Sequence, residues 1–190
     1  MRQSPIVYLL FFFSGITALT YEIVWTRMLT LVFGHTVFSV SVVLAAFMAG
    51  LGLGSYLFGY AVDRLPEING SSSGSKAPSA LLIYGWIEIL IFASGALLSL
   101  LFANFSGLYG SLHSFIPESV PLQNAIKMLF AFGMMLIPTT FMGATLPIIS
   151  KYCVTDDSRL GSQVSLLYAL NTLGAASGCL LTGFFLMGTF

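Results

Sequence analysis

The sequence has few charged residues, and this shortage narrows the classes of protein that it can encode. Only 7% of the 190 residues are charged, whereas 57% are hydrophobic. Soluble domains carry about 25% charged residues, so the deficit indicates a protein that folds in lipid. The net charge is zero and no basic run is present, which argues against nucleic acid as a partner.

Cysteine and histidine are equally scarce. Cys153 and Cys179 are isolated, one in a polar loop and one in an apolar run, and they suggest neither a disulfide framework nor a metal site. His35 and His113 fall in predicted loops without carboxylates at ligand spacing, so we expect solvated side chains. No cofactor or metal is predicted. The amino-terminal apolar run exceeds a signal-peptide core and shows no clear cleavage site, which predicts an uncleaved first span.

Long apolar segments are what the sequence does contain. A helix crosses a bilayer with about 20 apolar residues, and a spanning segment must satisfy its own backbone hydrogen bonds. We therefore predict an all-α, polytopic transmembrane bundle that forms one domain over residues 1–190. Its five predicted spans are residues 5–33, 36–62, 79–105, 122–150 and 162–190.

The loop charges predict the orientation of the spans. Lys and Arg are found at the amino terminus and in the second and fourth loops, and none is present in the first and third loops. The excess of positive charge in cytoplasmic loops places the amino terminus in the cytoplasm and the end of the fifth span outside. Residues 63–78 are rich in Ser and Gly and are predicted to be a flexible cytoplasmic linker. The charges that decide the orientation are Arg2, Arg64, Lys76, Lys151 and Arg159.

Small residues recur every four positions in two spans. Ala46, Gly50 and Gly54 do so in the second span, and Gly174 and Gly178 in the fifth. Such faces let helix backbones approach closely in a membrane. We interpret them as helix-packing surfaces rather than ligand sites.

Charged residues inside the spans are the first candidates for function, because a charge at the bilayer centre costs at least about 2.5 kcal/mol. Counting along the helices places Glu22 and Lys127 at similar depths below the outer edge. Since their charges are opposite, we predict that they approach each other, directly or through water. Glu88 and Asn171 are likewise level on the cytoplasmic side, which predicts a hydrogen bond with Glu88 in its neutral form.

The segment around Glu22 has two interpretations. Tyr21, Trp25 and Arg27 can form an interfacial belt that anchors the first span at the headgroups. Alternatively, an acid, an indole and a base surround an outward-opening cavity. The sequence leaves both open.

Short motifs recur in every span except the third, at Phe12 to Gly15, Tyr21 to Arg27, Ser41 to Tyr56, Gly143 to Pro147 and Leu167 to Ala175. Together they resemble the membrane region of the spermidine-synthase-like transmembrane proteins, a bacterial family similar in appearance to the major facilitator superfamily. The resemblance implies a bacterial inner-membrane location and a noncatalytic membrane module, which in the family is commonly followed by a soluble Rossmann-like aminopropyltransferase domain.

Another motif is similar to the start of the facilitator loop between the second and third helices. It consists of Gly59, Asp63 and Arg64, but the glycine and basic residues expected next are replaced by Leu65, Pro66 and Glu67. A conformational latch is therefore a weaker interpretation than a charged pair that ends the helix.

Three functions stay open. The first is a noncatalytic scaffold or accessory subunit whose partners are lipid and other membrane subunits or further copies of the chain. The second is a transporter-like half for a small amine or ion, with Glu22, Glu88 and Lys127 in the pathway. The third is the membrane anchor of a polyamine aminopropyltransferase, which requires a Rossmann-like domain after Phe190.

Overall fold

The computed structural model describes residues 5–34, 36–64, 77–104, 119–153 and 160–187. Over these ranges the chain is helical and contains no strand, which confirms the predicted fold class. All of its long helices are apolar enough to cross a membrane. They are α1 (Pro5–Phe33), α2 (Thr36–Arg64), α3 (Ala77–Ala103), α4 (Val120–Cys153) and α5 (Leu160–Leu181), and α5 continues into a π-helical turn at Thr182–Leu186.

The helix ends differ from the predicted spans by a few residues. The fourth helix extends beyond its predicted span at both ends and continues through Pro138 and Pro147 without interruption. Backbone hydrogen bonding continues past the apolar run because the helix ends can project into the headgroup region. The apolar pattern therefore marks the span rather than the whole helix.

The bundle consists of two closely packed helix pairs, α1 with α5 and α2 with α4. In the α2–α4 pair, a Cβ atom on Gly54 would overlap the carbonyl oxygen of Thr140. Reciprocally, a Cβ on Gly143 would overlap the carbonyl of Leu51. Glycine is required at both positions because each helix backbone lies directly against the other.

The α1–α5 pair is built in the same way. A Cβ on Gly174 would overlap the carbonyl of Phe12, and one on Gly15 would overlap the carbonyl of Asn171. In both pairs the glycine and the contacted carbonyl of one helix are three residues apart. The two crossings are thus equivalent, although their sequences differ.

The remaining contacts join these two pairs. The third helix packs mainly on α4 and also touches α1, and α2 packs on both α1 and α4. Trp25, Phe47 and Met135 are among the largest side chains of the resulting core. Large apolar side chains also cover the outside, including Leu31, Phe92 and Phe184, as expected of a surface that faces lipid.

Candidate functional site: polar groups between α1 and α3

Parallel packing of α1 against α3 brings their polar residues together. Trp25 on α1 contacts Ser99 on α3, 74 residues later. The ring of Tyr21 lies against Gly95, where a Cβ atom would crowd it, and this pair has the same offset. Because seven residues return a helix to nearly the same face, Ser14 and Glu88 form the next pair towards the amino-terminal ends of α1 and α3.

Trp25 lies in the interior of the bundle. Its side chain is 0% exposed, and its indole Nε1 donates a hydrogen bond to the Ser99 hydroxyl at 3.0 Å. Its ring stacks on Tyr21 with centroids 5.1 Å apart and lies 5.8 Å from the ring of Phe47. Trp25 is therefore neither a headgroup anchor nor part of an open cavity. Both interpretations fail for this residue because the sequence did not show which way the indole points.

Arg27 contacts a different part of the bundle. Its Nη1 donates to the carbonyl oxygen of Met187 at 3.0 Å and lies 3.1 Å from the sulfur of the same residue. The guanidinium thereby holds the end of the π-helical turn that follows α5. The acid, indole and base of the first span are not gathered at one site.

Glu22 lies on the inward stripe of α1, in line with Ala18 and Leu29. It is only half-buried, whereas Leu29 on the same stripe is fully buried. In the described part of the chain, Glu22 forms no ion pair with Lys127, so the predicted direct pairing is wrong. The reason is the arrangement of the helices, since α1 and α4 pack on α2 and α3 more than on each other.

Between α1 and α3, towards the amino-terminal end of α3, two polar oxygen atoms are buried. Tyr84 is 3% exposed, and its hydroxyl lies beside the carboxyl of Glu88 and the hydroxyl of Ser14. The Tyr84 hydroxyl and Glu88 Oε1 are enclosed, and although the Tyr84 hydroxyl lies close to Glu88 and Ser14, neither enclosed atom has the geometry of a direct hydrogen bond to a residue that the structure describes. Ser14 and Tyr84 are not among the site residues that the sequence predicts. The seven-residue spacing from Ser14 to Tyr21 was the one signal that could have identified Ser14.

Asn171 is not the partner of Glu88. It lies at the α1–α5 crossing, where its side-chain oxygen and backbone face Gly15. Ser14 faces α3 and Gly15 faces α5, because consecutive helix residues point about 100° apart. The predicted hydrogen bond between Glu88 and Asn171 is therefore not formed between these described residues, although both lie near α1.

The small-residue faces and the loop motif have local contacts. Gly50 and Gly54 pack on α4, with Gly50 against Thr139, and Ala46 is fully buried beside them. Gly174 and Gly178 pack on α1.

In the loop motif, Arg64 lies 4.0 Å above the ring of Tyr60 on its own helix. Gly59 lies near Pro147, while the side chain of Asp63, together with His35 and His113, lies outside the described residues.

Within the described ranges, no group of three or more His, Cys, Asp or Glu side chains could hold a metal ion. The helices and their intramembrane polar contacts define a multi-pass α-helical membrane protein. Comparisons with protein-family models, curated proteins and solved structures gave no match. The family resemblance therefore stays a prediction from the sequence motifs.

Proposed function

We propose that this chain is a noncatalytic membrane module, a scaffold or accessory subunit of a larger assembly in the bacterial inner membrane. The main support is the use of polar side chains inside the spans to join helices. Trp25 bonds to Ser99, and Thr182 donates to Thr20 at 3.0 Å. Ser55 donates to the carbonyl of Gly143, also at 3.0 Å. Such bonds hold helices at fixed positions.

The outer surface is where a partner subunit would bind. The glycine faces of α2 and α5 are already occupied within the chain, so they cannot receive another protein. An apolar stripe on α3 points away from the bundle and includes Leu82, Trp86, Ile89 and Phe92. Close packing in membranes depends on shape rather than on hydrophobicity, so bulky side chains here suit a complementary helix.

Native mass spectrometry of complexes extracted directly into lipid nanodiscs tests this role. We expect a mass well above the 20.5 kDa of one chain, and Trp86→Ala/Phe92→Ala should lower it to that of the chain. The control is Tyr56→Ala on the outward face of α2, which should retain the complex. Integer multiples of the chain mass would indicate a homo-oligomer, whereas a single chain at native expression would contradict the proposal.

The proposed orientation can be tested separately, in a Cys153→Ala/Cys179→Ala background. Single cysteines at Arg64 and Lys151 should react with a membrane-impermeant maleimide only after the cells are permeabilised. A cysteine at Asn104 or Ser119 should react in intact cells. The opposite pattern would reverse the topology without affecting the helix packing.

A second candidate function is a transporter-like half for a small amine or ion. Glu22 favours it, because this half-buried carboxyl lies on the inward stripe of α1 without an ion pair to Lys127. A carboxylate at that depth attracts a cation. Proteoliposomes should take up labelled methylammonium, and Glu22→Gln should abolish uptake while Glu22→Asp retains part of it. No uptake by the wild-type protein, or equal uptake by Glu22→Gln, would exclude methylammonium transport through Glu22.

A further inference from the structure

The geometry points to a bound water molecule between α1 and α3, held by Ser14, Tyr84 and Glu88. Tyr84 and Glu88 are one helical turn apart on α3, and Ser14 faces them from α1. Two of their oxygen atoms, the Tyr84 hydroxyl and Glu88 Oε1, are enclosed, and they lie close to one another and to Ser14 without the geometry of a direct hydrogen bond among the residues that the structure describes. Buried polar atoms in native proteins have protein or water partners in the great majority of cases.

The donors and acceptors of the three side chains match one water molecule. The Tyr84 and Ser14 hydroxyls can each donate a hydrogen bond to the water oxygen. The water can in turn donate to Glu88 Oε1, which is an acceptor in the ionised carboxylate and in the carbonyl position of the neutral acid. Buried waters typically form about three hydrogen bonds, so this set is sufficient to hold one.

The packing of α1 on α3 explains why polar side chains meet at this level. One heptad above, the ring of Tyr21 rests on Gly95 and fills the groove between the helices. At Ser14 the α1 side chain is small, so the same groove is left to the polar ends of Tyr84 and Glu88. Water suits these oxygen atoms better than an apolar group would, because an apolar group would leave the Tyr84 hydroxyl and Glu88 Oε1 without partners.

Water-edited solid-state NMR of the chain in lipid bilayers tests the proposal, with ¹³C-labelled tyrosine and Tyr84→Phe to assign the signal. We expect magnetisation to pass from water protons to Cζ of Tyr84 in the wild-type protein. Ser14→Ala should reduce that transfer at least twofold. The matched control is Ser177→Ala, since the Ser177 hydroxyl donates to the Leu173 carbonyl of its own helix at 2.8 Å and belongs to α5, which contributes no residue to the proposed site.

The wild-type spectrum decides the question even if Ser14→Ala fails to fold. A Tyr84 signal without water transfer, together with a direct contact between its hydroxyl and the Glu88 carboxyl, would overturn the proposal. A sodium ion is the other ligand to exclude. The transfer should be the same in choline and sodium buffers, and a shift of the Glu88 carboxyl signal on addition of sodium would show that a cation occupies the site instead.

Discussion

The indole of Trp25 and the hydroxyl of Ser99 join α1 to α3 through a hydrogen bond of 3.0 Å inside the membrane. The Ser99 hydroxyl itself donates to the carbonyl of Gly95 at 2.9 Å, so it acts as donor and acceptor at once. Because Trp25 is 0% exposed, its N–H group has no access to water as an alternative partner. The bond therefore fixes both the rotation and the height of α1 relative to α3.

Replacing Ser99 by alanine should destabilise the fold by about 1–3 kcal/mol, because the buried indole N–H loses its acceptor. The measurement is SDS-induced unfolding in bicelles, followed by circular dichroism. Ser94→Ala is the control on the same helix, since the Ser94 hydroxyl bonds only to carbonyls of its own preceding turn. Equal stability of the two variants would show that the bond has no net stabilising effect.

Alanine substitutions of two glycines on opposite faces of α2 should have opposite effects on the stability of the fold. A Cβ atom at Gly54 would overlap the backbone of α4, whereas one at Gly52 would meet no atom within 4 Å. Gly54→Ala should cost about 1–3 kcal/mol through overpacking. Gly52→Ala should be neutral or stabilising by up to about 1 kcal/mol, because alanine is the better helix former. The same unfolding assay measures both, and a destabilisation by Gly52→Ala as large as that by Gly54→Ala would contradict the crossing.

Arg27 should determine the order of the turn after α5. Arg27→Gln removes the guanidinium that binds the carbonyl and sulfur of Met187. We expect faster hydrogen exchange at the amides of Thr182–Leu186, measured by mass spectrometry in nanodiscs. Arg64→Gln is the control, since that guanidinium lies over Tyr60 on another helix. An unchanged exchange rate in Arg27→Gln would show that the turn is held by the helix itself.

Cys153 should be protected from alkylation. It lies two residues beyond the span that ends at Lys151 and is fully buried, and this burial raises the pKa of its thiol. Because the buried Cys153 carries less thiolate and the reagent cannot reach it, we expect it to react slowly with maleimide until the chain unfolds. A cysteine at the exposed position Lys151, in a Cys153→Ala/Cys179→Ala background, should react quickly. Rapid native labelling of Cys153 would contradict its burial.

The same thiol predicts the pH dependence of stability. The unfolded chain releases the thiol proton at a lower pH than the folded chain, because the folded pKa is raised. The free energy of unfolding should therefore be unaffected by this thiol at pH values below the pKa of an unfolded cysteine. It should fall as the pH rises from that pKa to the raised pKa of the folded protein. Cys153→Ala should remove this part of the alkaline loss. If the free energy of unfolding changed with pH in the same way in the wild-type protein and in Cys153→Ala, the thiol would not contribute to the alkaline loss of stability.

The number and type of elements could be predicted because lipid imposes a simple requirement on composition and length. The charged pairings could not. Counting along the helices places Glu22 level with Lys127 and Glu88 level with Asn171, but depth is one coordinate of three. Whether two residues at the same depth meet also depends on which helices are neighbours. In this structure α1 packs against α5 and α3 with separate faces. Trp25 shows the same limit, since a position near the membrane boundary did not reveal that the indole points inward.

The crossing of α1 with α5 has a consequence for how the protein is made. The ribosome completes α1 at Phe33, but α5 begins only at Leu160. At 5–20 residues per second, roughly 6–25 s of synthesis separate the two helices. The Gly15 face of α1 therefore meets its principal neighbour only after α2, α3 and α4 have been synthesised.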